Sequence, residues 1–100
     1  MKIIINRTWG GISNEAAENR ANPDFIKSVE DGTYQSEDSF ELLQVVEIPD
    51  NVSDWAIYDY DGMEHVIFVL DGKLYAADTD EVTEVRNINS HSHFYGYYSI

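Results

Sequence analysis

The stretch that decides the fold is Trp55 to Ala77, WAIYDYDGMEHVIFVLDGKLYAA. It reads as three β-branched and aromatic runs, Trp55–Tyr60, Met63–Leu70 and Lys73–Ala77, separated by Asp61-Gly62 and Asp71-Gly72. An Asp-Gly pair between apolar runs predicts a two-residue hairpin, because a type I′ turn needs positive φ at both central positions. Two such hairpins in series predict an antiparallel β-meander.

Upstream, Lys2 to Thr8 is rich in β-branched residues and predicts a strand, broken by Trp9-Gly10-Gly11. Ser13 is a candidate N-cap for a short helix over Asn14–Ala21, with Glu15 in its first turn and a thin face of Ala16, Ala17 and Ala21. Asn22-Pro23-Asp24 marks a second helix start, and Asp31-Gly32 its end. Between them Phe25, Ile26 and Val29 form one apolar stripe. Residues 33–39 lack a period and read as a loop. Phe40–Ile48 predicts a strand stopped by Pro49. Asp78–Glu84 begins as an acidic turn. Val82, Val85 and Ile88 suit a short helix or a twisted strand, and we favour the strand. The tail from Asn89 to Ile100 is polar and aromatic, an edge strand or loose. The expected fold is a single α+β domain: a small antiparallel sheet of four or five strands, with one or two short helices on one face.

Composition narrows the function. The chain has 100 residues, 43% of them hydrophobic, so it can bury one modest core and is no disordered polyanion. It has no cysteine, which excludes disulfides and thiolate chemistry. Its longest apolar run, Val66–Leu70, is too short to span a membrane, and Met1–Arg7 lacks the apolar length and cleavage site of a signal peptide. A cytoplasmic location is expected.

Six Lys and Arg against nineteen Asp and Glu leave a formal charge of −13. Such a body repels phosphate backbones and anionic lipid heads, so neither nucleic acid nor membrane is an expected direct partner. A basic protein surface is the natural counterpart. Solubility alone also rewards a negative surface.

Catalytic and metal-binding patterns are weak. Asp59, Asp61 and Glu64 fail the spacing of a calcium loop, and the hairpin explains Asp61-Gly62 better. His91 and His93 share one strand face, and His65 is a conceivable third ligand, but no spacing motif joins them. No nucleophile elbow or phosphate loop occurs. The expectation is a non-enzymatic protein without metal or cofactor. A metal-dependent enzyme using the histidines, and a virion or assembly component that self-associates, are the alternatives. Oligomeric state is left open.

Three stretches carry a resemblance. Met1-Lys-Ile-Ile-Ile-Asn6 leading to Gly10-Gly11, Arg20 with Pro23–Gly32, and Val45–Asp50 leading to Tyr60–Val66 are each similar to segments of a group of small bacteriophage- and prophage-encoded proteins. The likeness covers about residues 1–66 and transfers no functional residues. It implies a phage or prophage setting, where small acidic proteins often block a host enzyme that handles nucleic acid, a CRISPR effector for example. In that reading carboxylates occupy an Arg/Lys groove meant for phosphates. The candidate partner-binding acids are Asp50, Asp54, Asp59, Asp61 and Glu64, then Asp78, Asp80, Glu81 and Glu84. Tyr58 and Tyr60 are the candidate aromatic contacts, since tyrosine is favoured at interface centres.

Overall fold

The computed structural model describes residues 1–8, 11–35, 41–60, 63–78 and 82–84. In chain order they form β1 (Lys2–Asn6), α1 (Asn14–Glu18), α2 (Pro23–Glu30), β2 (Leu43–Glu47), β3 (Asp54–Tyr60), β4 (Met63–Leu70), β5 (Lys73–Ala77) and β6 (Val82–Glu84). The fold is α+β, as expected. The strands divide between two antiparallel sheets, β1-β2 and a meander in the order β3-β4-β5-β6.

The second hairpin has the anticipated turn. Leu70 pairs with Lys73, and Asp71 and Gly72 sit at φ 53° and 77°. This is the double positive φ of a type I′ turn, which costs nothing at glycine. Tyr60 pairs with Met63, so two residues join β3 to β4. Those two, Asp61 and Gly62, lie outside the described residues, as do 79–81 and the tail from 85 to 100.

Both helices start where the caps predict. The Ser13 hydroxyl accepts from the Ala16 amide at 3.2 Å, and Asn22 Oδ1 accepts from the Asp24 amide at 3.0 Å with Pro23 in the first turn. α1 ends at Glu18, short of the expected Ala21. The Asn19 side chain donates to the Glu15 carbonyl at 2.7 Å while its amide turns back to Ala16 O. That local competition ends a five-residue helix too short to resist it. α2 closes at Asp31, and Gly32 follows at φ 74°.

β1 stops at Asn6 rather than Thr8 because the buried Asn6 side chain redirects the chain. Its Oδ1 accepts from the Leu42 amide at 3.0 Å, and its Nδ2 donates to Gly11 O at 2.6 Å. The expected strand over Phe40–Ile48 is regular only from Leu43 to Glu47.

The main core lies between the sheets. Ile3, Ile5, Val46 and Ile48 pack against Val66, Phe68 and Ala77, with Trp55, Ile57 and Tyr75 at the margin. Phe68 and Tyr75, opposite each other across β4-β5, stack with centroids 5.2 Å apart. α2 covers β1 and β2 from the other side, burying Ile26.

The outer face of the meander is apolar too: Tyr58, Ile67 and Ala76 form a second buried cluster. This corrects the reading of Tyr58 as an outward contact. It shares a sheet face with Ala56 and Ile67 and is 2% exposed.

Two substitutions test this architecture by urea unfolding. Phe68→Ala should cost about 3–5 kcal/mol through lost burial and the cavity left behind. Gly72→Ala should cost about 1 kcal/mol through the strained left-handed backbone alone.

Candidate functional site

β4 alternates Glu64, Val66 and Phe68 toward the core, so the strand carries a carboxylate to an apolar face. A buried carboxylate needs a counter-charge and hydrogen bonds. Arg20, in the turn between α1 and α2, supplies both. Its Nη1 and Nη2 donate to Glu64 Oε1 and Oε2, each at 2.8 Å, in a two-pronged pair. Arg20 Nη1 also donates to Ile4 O at 2.9 Å, and the Ile4 amide donates to Arg20 O at 2.9 Å. Glu64 Oε1 takes the Asn6 amide at 2.7 Å. The pair therefore satisfies the edge of β1 that faces away from β2, and ties it to the meander.

Arg7 makes a parallel connection. Its Nη1 donates to the Glu64 carbonyl at 2.9 Å, and its Nη2 lies 3.8 Å from Asp78 Oδ2. His65 Nε2 approaches the same oxygen at 3.7 Å.

A third polar cluster joins α1 to the loop before β2. Glu41 accepts from the Ser13 hydroxyl at 3.0 Å and the Tyr34 hydroxyl at 3.3 Å. Since Ser13 is also the helix cap, this cluster fixes the start of α1. A groove of about 360 Å³ runs between β1 and α2, bordered by Lys2, Pro23, Ile26 and Glu30. Lys2 Nζ meets Glu30 Oε2 at 3.0 Å, and this hydrogen bond holds the lysine above its ordinary pKa.

The acids singled out from the sequence separate into three sets. Glu64 and Asp78 are turned inward and engaged by arginines, which removes both from any docking surface. Asp50, Asp54, Asp59 and Glu84 are exposed. The side chain of Tyr60, and Asp61, Asp80 and Glu81 altogether, lie outside the described residues.

The exposed acids do not form one cluster. Asp50 and Asp54 lie at one end of the meander, where Asp50 meets the Met1 amino group. Asp59 lies at the other end of β3, about 17 Å along the strand at 3.4 Å per residue. Glu84 is on β6, at the opposite edge of the sheet. Among the described residues no three His, Cys, Asp or Glu converge in a way that would hold a metal. His91 and His93 lie outside them. No described helix is long and apolar enough to cross a membrane.

The sequence reasoning missed the Arg20–Glu64 pair. A signal was present: strand alternation places Glu64 on the same face as Val66 and Phe68, and few cations were there to meet it.

No family model, curated protein or solved structure matches this chain.

The pair makes a sharp energetic prediction. Glu64→Gln should destabilise the fold by about 3–5 kcal/mol, because it leaves the Arg20 charge buried without its partner. Replacing both residues by leucine should remain destabilising by about 1–3 kcal/mol per orphaned group, since Ile4 O and the Asn6 amide then lose their partners. Urea denaturation of the two variants checks both values.

Proposed function

We propose that this chain is a binding protein, encoded by a phage or prophage, that docks its carboxylates onto the basic surface of a host protein handling nucleic acid. One observation carries the reading. Two of the five described cations, Arg7 and Arg20, are drawn inside to meet Asp78 and Glu64. The described exterior is left with Lys2, Lys27 and Lys73 among far more numerous exposed carboxylates. Each arginine takes a carboxylate inside with it, so the net negative charge stays on the exterior with few cations to pair it, on a scaffold held by two packed sheets. A cationic groove would find it quickly through complementary fields, and ionic strength would weaken the encounter.

The resemblance to small phage proteins supports the setting. The placement of Asp54 and Asp59 at the two ends of an edge strand supports contacts spread along a strand over imitation of a compact phosphate cluster. A CRISPR effector or another host enzyme with an Arg/Lys channel is the kind of target this chemistry suits.

The test is capture from a bacterial lysate at low and high salt, with and without competing duplex DNA. The bait is the wild-type chain or the combined variant Asp54→Asn, Asp59→Asn, Glu84→Gln. We expect a nucleic-acid-handling protein to be retained at low salt, displaced by DNA and lost about tenfold or more with the variant. Retention indifferent to salt, DNA and the three substitutions would overturn the proposal.

A further inference from the structure

Among the described residues β3 is an edge strand, bonded to β4 on one side. Which of its backbone groups face outward follows from the register. Leu70 and Lys73 close a two-residue hairpin, so they are a hydrogen-bonded pair, and bonded pairs alternate along antiparallel strands. Val66 and Phe68 therefore bond to β5, and His65, Ile67 and Val69 bond to Tyr58, Ala56 and Asp54 of β3. The backbones of Trp55, Ile57 and Asp59 point away from the sheet.

The Trp55 amide is met by Asp54 Oδ1 at 2.8 Å. Among the described residues, no bond reaches the amides of Ile57 and Asp59 or the carbonyl of Ile57 from outside the strand. The contrast with β1 is direct, because Arg20 and Glu64 close its free edge.

We infer that the open edge of β3 is a strand-addition site, taking an extended segment of the partner that carries Lys or Arg residues. This deepens the proposed function and rests on it. Exposed edges invite pairing, and proteins blunt them with lysine, proline or bulges. Asp54–Tyr60 holds neither lysine nor proline, and its charges are Asp54 and Asp59.

Those charges select the occupant. A second copy would bring the same two aspartates and no cation to this edge, so its pairing gains nothing from them. A cationic strand with two basic residues, spaced as Asp54 and Asp59 are, meets one carboxylate on each face of the sheet. Its main chain then bonds Ile57 and Asp59, the mode in which backbone contacts give affinity and alternate side chains give specificity.

The test uses the full chain, labelled with nitrogen-15, and the probe acetyl-Arg-Val-Thr-Val-Thr-Arg-amide. Companion probes carry Glu for Arg, or are N-methylated on every second residue in either phase. We expect the arginine peptide to slow exchange of the Ile57 and Asp59 amides by about tenfold or more. The glutamate peptide should do nothing, and one N-methylated phase should bind about tenfold more weakly, the value of one or two lost hydrogen bonds.

Equal binding by every methylated form, or perturbations away from β3, would overturn strand addition and leave charge-driven docking standing. No binding by the arginine peptide at low salt, together with salt-indifferent capture from lysate, would remove both. A concentration-dependent dimer that protects Ile57 and Asp59 without peptide would overturn the choice of a cationic occupant.

Discussion

The structure depends on one buried ion pair. Arg20 and Glu64 come from opposite halves of the chain, 44 positions apart. Their meeting satisfies three kinds of group at once: the carboxylate itself, the guanidinium, and the outward backbone of β1 at Ile4 and Asn6. A two-stranded sheet is marginal by itself in water. Here it is held from one side by the core of Ile3, Ile5 and Val46, and along its free edge by a side-chain pair that acts as a third strand. Isolated ionic pairs are weak evidence of stability, because desolvation offsets attraction. This one differs because it also completes the backbone hydrogen bonding of an edge that nothing else described would satisfy.

The same pair shapes the exterior. Arg20 and Arg7 are taken inward with Glu64 and Asp78, so the surface keeps the net negative charge of a chain at −13 with fewer cations to pair it. Net charge of this size opposes compaction through self-repulsion, so the fold carries that cost in return for a surface that attracts cations over distance. The two sheets differ in how their edges are treated. Among the described residues, β1 is closed by side chains, while β3 stays open and carries aspartates at its two ends. An open edge under negative charge gains nothing from a second copy's aspartates and suits a cationic strand, so fold and proposed function rest on the same distribution of charge.

What could be read from the sequence was what short-range physics controls. The Asp71-Gly72 turn, the Ser13 and Asn22 caps and the three meander strands each depend on a few adjacent residues. They appear within a residue or so of where the pattern puts them. What escaped depends on distant partners. The split into two sheets is set by packing of Ile3 and Val46 on Phe68, which no local period reveals. The early end of β1 is set by Asn6 reaching Leu42. Of the candidate docking residues, Asp54, Asp59 and Glu84 lie on the surface, whereas Glu64, Asp78 and Tyr58 are claimed by the interior. Alternation along β3 does not say which faces are covered, and here both are. Glu64 was the legible exception, a charge in register with core residues.

Native-state hydrogen exchange at the amides of Ile4 and Asn6 tests the central claim most directly. If Arg20 and Glu64 close the edge of β1, both amides should exchange only through global opening, with a free energy close to that of Ile67 in the middle of the meander. Exchange at Ile4 and Asn6 as fast as in a solvent-facing loop, while Ile67 stays protected, would show that the edge is open and contradict the account.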